Sequence, residues 1–141
     1  MNLIFRAVPT LETASIWPEA AALLAPVLER LASRFLPSDI QSRLADERMQ
    51  LFVAECDGRV TTACLTQVLM FPRCRTLDIV GIGGDGYGLW SAWFQDLINC
   101  AKLMDCQFIS ASAGRDGWSR VMAGSELKKS GTMYQMEIGH A

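Results

Sequence analysis

The sequence predicts a single α/β (α+β) domain over residues 1–141, with a central mixed, mostly antiparallel sheet of about six to seven strands flanked by helices. Three observations predict it. Asp57-Gly58, a dipeptide favoured in tight hairpin turns, separates two strand-like runs, Met49 to Cys56 and Val60 to Met70. Asp78 to Met104 reads as a strand, a glycine-rich turn and a long helix. In that helix Trp90, Trp93, Phe94, Leu97, Ile98, Ala101 and Met104 recur at helical steps, while Ser91, Gln95, Asn99 and Lys102 take the opposite face.

The remaining elements follow in order. Asn2 to Val8, with Leu3, Phe5 and Ala7 on one side, reads as a first strand ended by Pro9. Pro18 suits the first turn of a helix whose apolar face, Ala21, Leu24, Leu28 and Leu31, continues to Phe35. Pro26 predicts a kink or two abutting helices there. Ser38 and Gln41 have the spacing of a capping box and predict a short helix to about Asp46. Thr76 to Ile82 reads as a central strand and Gln107 to Ala113 as a further one. A short helix over Arg115 to Ala123 is closed by Gly124, and Glu126 to Ile138 reads as two strands around Lys129-Ser130-Gly131, with Tyr134, Met136 and Ile138 on one face of the last.

Composition excludes several function classes. The net charge of −2 supplies no basic stripe for a phosphate backbone, so no nucleic-acid partner is expected. No run approaches the roughly 20 apolar residues of a membrane helix, and a cytoplasmic location is expected. Five cysteines form an odd set without a Cys-x-x-Cys and read as small core hydrophobes. The single histidine, His140, is penultimate, which argues against a zinc site or a Ser/His or Cys/His nucleophilic pair.

The glycines Gly81, Gly83, Gly84, Gly86 and Gly88 precede a helix, the place where unpaired N–H groups and the helix dipole can hold an anion. A tightly turned connection whose glycines accept positive φ is the simpler account and the one preferred. Neither a P-loop nor a dinucleotide fingerprint is present, for want of Gly-Lys-Ser/Thr and of a suitably placed acidic residue.

The order of a long hairpin, a third strand ending in glycines, a helix, a strand, a short helix and a closing strand resembles the GNAT N-acetyltransferase superfamily over nearly the whole chain. Within it, Ile109-Ser-Ala-Ser-Ala-Gly-Arg115-Asp-Gly-Trp118-Ser-Arg120-Val121 is similar to the small GNAT-like proteins of tailed phages and prophages. The helix from Trp90 to Cys106 and the segment Phe71-Pro72-Arg73 share that similarity.

The resemblance implies an acyl-CoA signature, Arg/Gln-x-x-Gly-x-Gly/Ala, onto which Asp85-Gly86-Tyr87-Gly88-Leu89-Trp90 falls. Only Gly88 keeps its role. Asp85 would set a negative charge beside a pyrophosphate, and the Trp90 indole would fill volume needed by phosphate oxygens. The family's general-acid segment, Asn-x-x-Ala-x-x-Leu-Tyr-x-x-x-Gly-Phe, aligns from Arg115 and places Trp118 on the alanine, Val121 on the leucine and Met122 on the tyrosine. Methionine cannot protonate a leaving thiolate.

These departures lead to the expectation of a protein of the phage or prophage type that lacks acetyl transfer, needs no cofactor, and serves as an accessory or virion-associated component. Its expected partner is a protein, either a phage structural protein or a second copy. Trp90, Arg115, Trp118 and Arg120 are its candidate contact residues, since aromatic side chains and arginine are frequent at interface centres. The alternative is an active acetyl-CoA-dependent N-acetyltransferase. In it, the resemblance gives the backbones of Val80 and Ile82 to the pantetheine arm, with Gly86 and Gly88 at the phosphates. Glu55, Asp78 or Tyr134 would then move the proton. No metal site is expected under either alternative.

Overall fold

The Asp57-Gly58 turn sets the register from which the sheet grows. Asp57 has φ 51° and Gly58 φ 82°, the paired left-handed conformations of the hairpin turn whose twist matches that of the strands it joins. The computed structural model describes residues 3–84, 90–111, 127, 128, 130, 131 and 135–139, with the side chains of all of these except 90–93. The turn joins β2 (Met49–Cys56) to β3 (Arg59–Met70), which pair antiparallel from Cys56 opposite Arg59 to Met49 opposite Gln67. β1 (Leu3–Ala7) adds antiparallel to β2, and β4 (Arg75–Gly84) antiparallel to β3. β5 (Phe108–Ala111) then lies parallel to β4. A parallel neighbour needs a crossover, and α4 (Trp90–Leu103) supplies it.

Among the described residues the sheet has five strands in the order β1-β2-β3-β4-β5, fewer than the six to seven expected. The two tail strands expected over Glu126 to Ile138 fall in part outside the described residues. None of the described residues between 127 and 139 is in a strand, and Met136 and Ile138 are exposed. Alternation marks a strand only when a neighbour accepts its hydrogen bonds and a layer covers its apolar side. The short helix expected over 115–123 lies outside the described residues.

Between β1 and β2 the chain forms a single 3-10 turn at Thr10–Glu12 and then α1 (Thr13–Leu23), α2 (Ala25–Leu31) and α3 (Pro37–Ala45). The first helix begins upstream of Pro18, which sits inside it rather than in its first turn. Its start is set instead by the preceding 3-10 turn, whose Thr10 carbonyl accepts from the Thr13 hydroxyl at 2.9 Å. Pro26 acts as expected: it occupies the first turn of α2, where a missing N–H costs nothing, and the two helices abut at Leu24. Leu24 N–H donates to the Ala20 carbonyl and the Leu24 carbonyl accepts from Leu28 N–H, both at 2.8 Å, so the junction is bonded from both sides. At α3 the cap differs from the one expected. Asp39, not Ser38 with Gln41, reaches back, its Oδ2 accepting from the Leu36 N–H at 2.8 Å, half of a capping box.

Each face of the sheet carries its own core. On one, Trp17, Ala20, Leu24 and Val27 of α1 and α2, with Ile40 and Leu44 of α3, pack on Met49, Leu51, Val53, Ala63 and Leu65. On the other, Phe94, Leu97 and Ala101 of α4 pack on Phe52, Cys64, Leu77, Ile79 and Ile82. Phe5 stacks on Phe52 at 5.6 Å between ring centroids.

The glycines at the end of β4 decide how closely the α1–α2 pair can approach. A Cβ at Gly81 would overlap the Val27 side chain, and one at Gly83 would overlap the backbone carbonyl of Leu23. Gly84, at φ 115°, faces the Thr61 carbonyl in the same way. Gly81 and Gly83 therefore belong to a strand under a helix junction rather than to a turn or anion nest, while Gly84 ends that strand with the positive φ expected of this glycine run. At Gly83 the obstacle is backbone, which cannot rotate away. Gly83→Ala is expected to destabilise the protein by about 1–3 kcal/mol, seen as a lower urea midpoint at an unchanged slope.

Candidate functional site

The partner pairs of β3 and β4 place three rows of side chains on the face covered by α1 and α2. They run Val53–Ala63–Gly83, Leu51–Leu65–Gly81 and Met49–Gln67–Asp78–Ser110. The first two are apolar or glycine and lie under the helices. The third turns polar beyond Met49, and its Asp78–Ser110 step is the last but one of the described β4–β5 pairs.

β4 and β5 pair from Thr76 opposite Phe108 to Ile79 opposite Ala111, the last described residue of β5. β4 continues, paired to β3, from Gly81 opposite Leu65 to Gly84 opposite Thr62. Between them the β3 register shifts: Thr66 faces Ile79 and Leu65 faces Gly81, so Val80 has no β3 residue opposite it. Such a bulge bends its strand and sharpens the local twist. The α1–α2 core packs on Val80, and Ile82 lies in the α4 core. The segment assigned to a pantetheine arm by resemblance begins at this bulge.

Asp78 is half-buried and engaged on both oxygens. Gln67 Nε2 donates to Oδ2 at 3.0 Å and Ser110 Oγ donates to Oδ1 at 2.8 Å, so the carboxylate bridges β3 and β5 across the strand that carries it. Glu55 lies elsewhere on the same face, near the hairpin turn, and is held by Arg6. Arg6 Nε and Nη2 both reach Glu55 Oε1 at 3.0 Å, while Nη1 contacts Glu12 at 3.3 Å. The hydrogen bond to Glu55, more than any other contact, holds the Arg6 guanidinium above its ordinary pKa. Asp78 and Glu55 share no partner and form no dyad.

Tyr134, Gly86, Gly88, Arg115, Trp118 and Arg120 lie outside the described residues, as do Asp85 and Met122. The Trp90 backbone begins α4 and its side chain is likewise outside them. Among the described residues no group of His, Cys, Asp and Glu side chains is arranged to hold a metal. No helix among them is long and apolar enough to cross a membrane.

The partners of the two carboxylates escaped sequence reasoning. Arg6 lies on a strand 49 residues from Glu55, and Ser110 lies 32 residues from Asp78. The usable signal was a lone acid in the otherwise apolar run Leu77 to Ile82, which needs a polar neighbour once half-buried. Its identity required the register.

In structure the chain is similar to a ribosomal-protein-alanine N-acetyltransferase from Brucella melitensis biovar Abortus 2308, with a TM-score of 0.72, 16% identity, and 98% of this chain and 100% of that chain covered. A predicted acetyltransferase with acetyl-CoA from Clostridium acetobutylicum gives a TM-score of 0.68 at 13% identity, covering 96% of each chain. A GNAT family acetyltransferase from Staphylococcus aureus gives 0.57 at 16% identity, covering 96% of this chain and 100% of that one. The chain has the GNAT fold. At these identities the likeness concerns the fold alone. No family model matches the chain, and no curated protein matches it.

All five cysteines are free thiols, and Cys64 lies buried in the α4 core. Burial pushes its thiol far up from the ordinary value of 9.0, and burial with the Asp96 charge raises Cys100 in the same direction. Cys64 is thus no nucleophile. In folded protein it is expected to stay unmodified by iodoacetamide at about pH 8, where an exposed thiol is partly ionised, and to react once urea unfolds the chain; peptide mass mapping reads the difference. Above its ordinary pKa the unfolded chain binds fewer protons than the folded one. Stability therefore falls as pH rises past that value, by up to about 1.4 kcal/mol per unit for such a thiol.

Proposed function

We propose that this GNAT-fold chain is of the phage or prophage type, does not transfer acetyl groups, and works through protein contacts as an accessory or virion-associated component. The observation that carries this reading is the engagement of the two strand carboxylates. Asp78 is bonded on both oxygens within the sheet and Glu55 is tied to Arg6, so each serves the fold before it could serve a substrate. The signature residues support the same reading: Asp85 and Trp90 stand where a pyrophosphate site needs a neutral or basic residue and a small one, and Met122 stands where a general acid is needed. Contacts would then use Trp90, Arg115, Trp118 and Arg120, and the double variant Arg115→Ala with Trp118→Ala would weaken assembly with the partner.

The likeness in fold to acetyltransferases favours a second reading, an N-acyltransferase using acetyl-CoA. Here the backbone of Val80 and Ile82, at the β4 bulge, would hold the pantetheine arm, with Gly86 and Gly88 at the phosphates. Asp78, two residues before that bulge, would be better placed than Glu55 to take a proton from an amine, with Tyr134 as the remaining acid. The similar Clostridium acetobutylicum structure contains acetyl-CoA.

Calorimetric titration with acetyl-CoA, paired with an assay for released CoA thiol over a panel of amines, separates the two. The first reading expects no saturable heat and no thiol release. Micromolar affinity overturns it; thiol release that is lost in Asp78→Asn but kept in Glu55→Gln establishes the second.

A further inference from the structure

The C-terminal end of α4, which neither reading uses, carries two cysteines on one capping motif. Beyond the helix the Asp105 N–H donates to the Lys102 carbonyl at 3.0 Å, and the Cys106 N–H donates to the Ala101 carbonyl at 2.9 Å. Asp105 stands at φ 58°, in the left-handed region. These two reverse bonds around one left-handed residue make a Schellman motif. In that motif the residue after the left-handed one folds back over the last turns and packs on the residues five and six before it. For Cys106 those are Ala101 and Cys100.

The packing agrees with the motif, since Cys100 and Cys106 are both half-buried free thiols set against the α4 core. Their surroundings give them different tasks. Burial, and after it the Asp96 charge, hold the Cys100 thiol above its ordinary pKa, so it offers little thiolate for a first attack. Cys106 Sγ donates to the Met104 carbonyl at 3.9 Å, at the mouth of the turn. Cys64, fully buried, is shielded from any reagent in water. Cys74 is the rival partner for Cys106, because the carbonyl of its neighbour Arg75 accepts from the Gln107 N–H at 2.9 Å and brings the β3–β4 hairpin beside the same turn.

We propose that Cys100 and Cys106 are a redox pair, which a peroxide oxidises to a disulfide that staples the last turn of α4. The Cys106 thiolate attacks one peroxide oxygen, the O–O bond breaks, and a sulfenic acid and one water result. The Cys100 sulfur then attacks the sulfenic sulfur, the S–S bond forms, and the sulfenic oxygen leaves as a second water. The two sulfurs together give up two electrons, the peroxide takes them, and both thiol protons end in the waters. A disulfide between partly exposed thiols belongs to the labile class, so a thiol reductant returns the pair to its starting state. The proposal goes beyond both functional readings and shares no residue with either.

Non-reducing peptide mapping of the full chain after exposure to hydrogen peroxide tests it. Tryptic cleavage after Lys102 separates the two cysteines, so their bond is read as two linked peptides. The wild type is expected to give the Cys100–Cys106 linkage, lost on treatment with dithiothreitol, while Cys64 stays a free thiol. In Cys100→Ser the Cys106 sulfenic acid should persist and be captured by dimedone, and Cys106→Ser should show neither a linkage nor sulfenic acid at Cys100. The wild-type map needs no variant, so it decides the matter even if an exchange upsets folding. Two thiols still free when the exposed Met70 and Met136 are already sulfoxides, or a Cys106 linked to Cys74 or to a second copy, overturns the proposal.

Discussion

The α1–α2 junction can rest on β4 only because that strand offers no side chains beneath it. Where Val27 and the Leu23 carbonyl descend onto the sheet, Gly81 and Gly83 leave the necessary space. Several other features depend on that contact. The helices abut at Leu24 because Pro26 begins a new helix there, and the junction buries Leu24 and Val27 in the core over β2 and β3. The same stretch carries the β4 bulge, with Val80 unopposed in β3 just before Gly81. The seat of the helices and the bend of the strand are two features of one stretch of chain.

The bulge at Val80 joins these consequences to the chemistry. Without it, the alternation of β4 would carry the face of Asp78 unbroken through Val80 and Ile82. With one residue unopposed, Ile82 instead joins Leu77 and Ile79 under α4, while Val80 packs with the helices on the other face. Asp78 sits just before this change. Its bonds to Gln67 and Ser110 tie β3 and β5 to β4, so the carboxylate straps three strands together. Both of its oxygens are occupied within the sheet, which competes with contact to a substrate. Glu55 presents the same competition more plainly, because Arg6 claims it at the far end of the face.

Much of the fold was legible before any coordinates. The Asp57-Gly58 hairpin, the phase of the α4 helix and the break at Pro26 all rest on local rules: turn chemistry, helical periodicity and the lost donor of proline. Less was legible where a local signal had two outcomes. Pro18 resembled a helix start, yet the 3-10 turn before Thr13 began the helix earlier. Ser38 and Gln41 had the spacing of a capping box, yet Asp39 was near enough to the Leu36 N–H to take the role. Met136 and Ile138 alternate as a strand would, but remain exposed.

By itself, the sequence determined the hairpin, the strand–helix order around Asp78 to Met104 and the substitutions Asp85, Trp90 and Met122 in the signature its order resembles. These are matters of residue type and spacing along one chain. Only the tertiary structure decided that Gly81 and Gly83 are a floor for two helices, that β4 bulges at Val80, and that Asp78 and Glu55 each have a committed partner. Those facts depend on strand register and on the approach of segments far apart in the chain, which no local periodicity encodes.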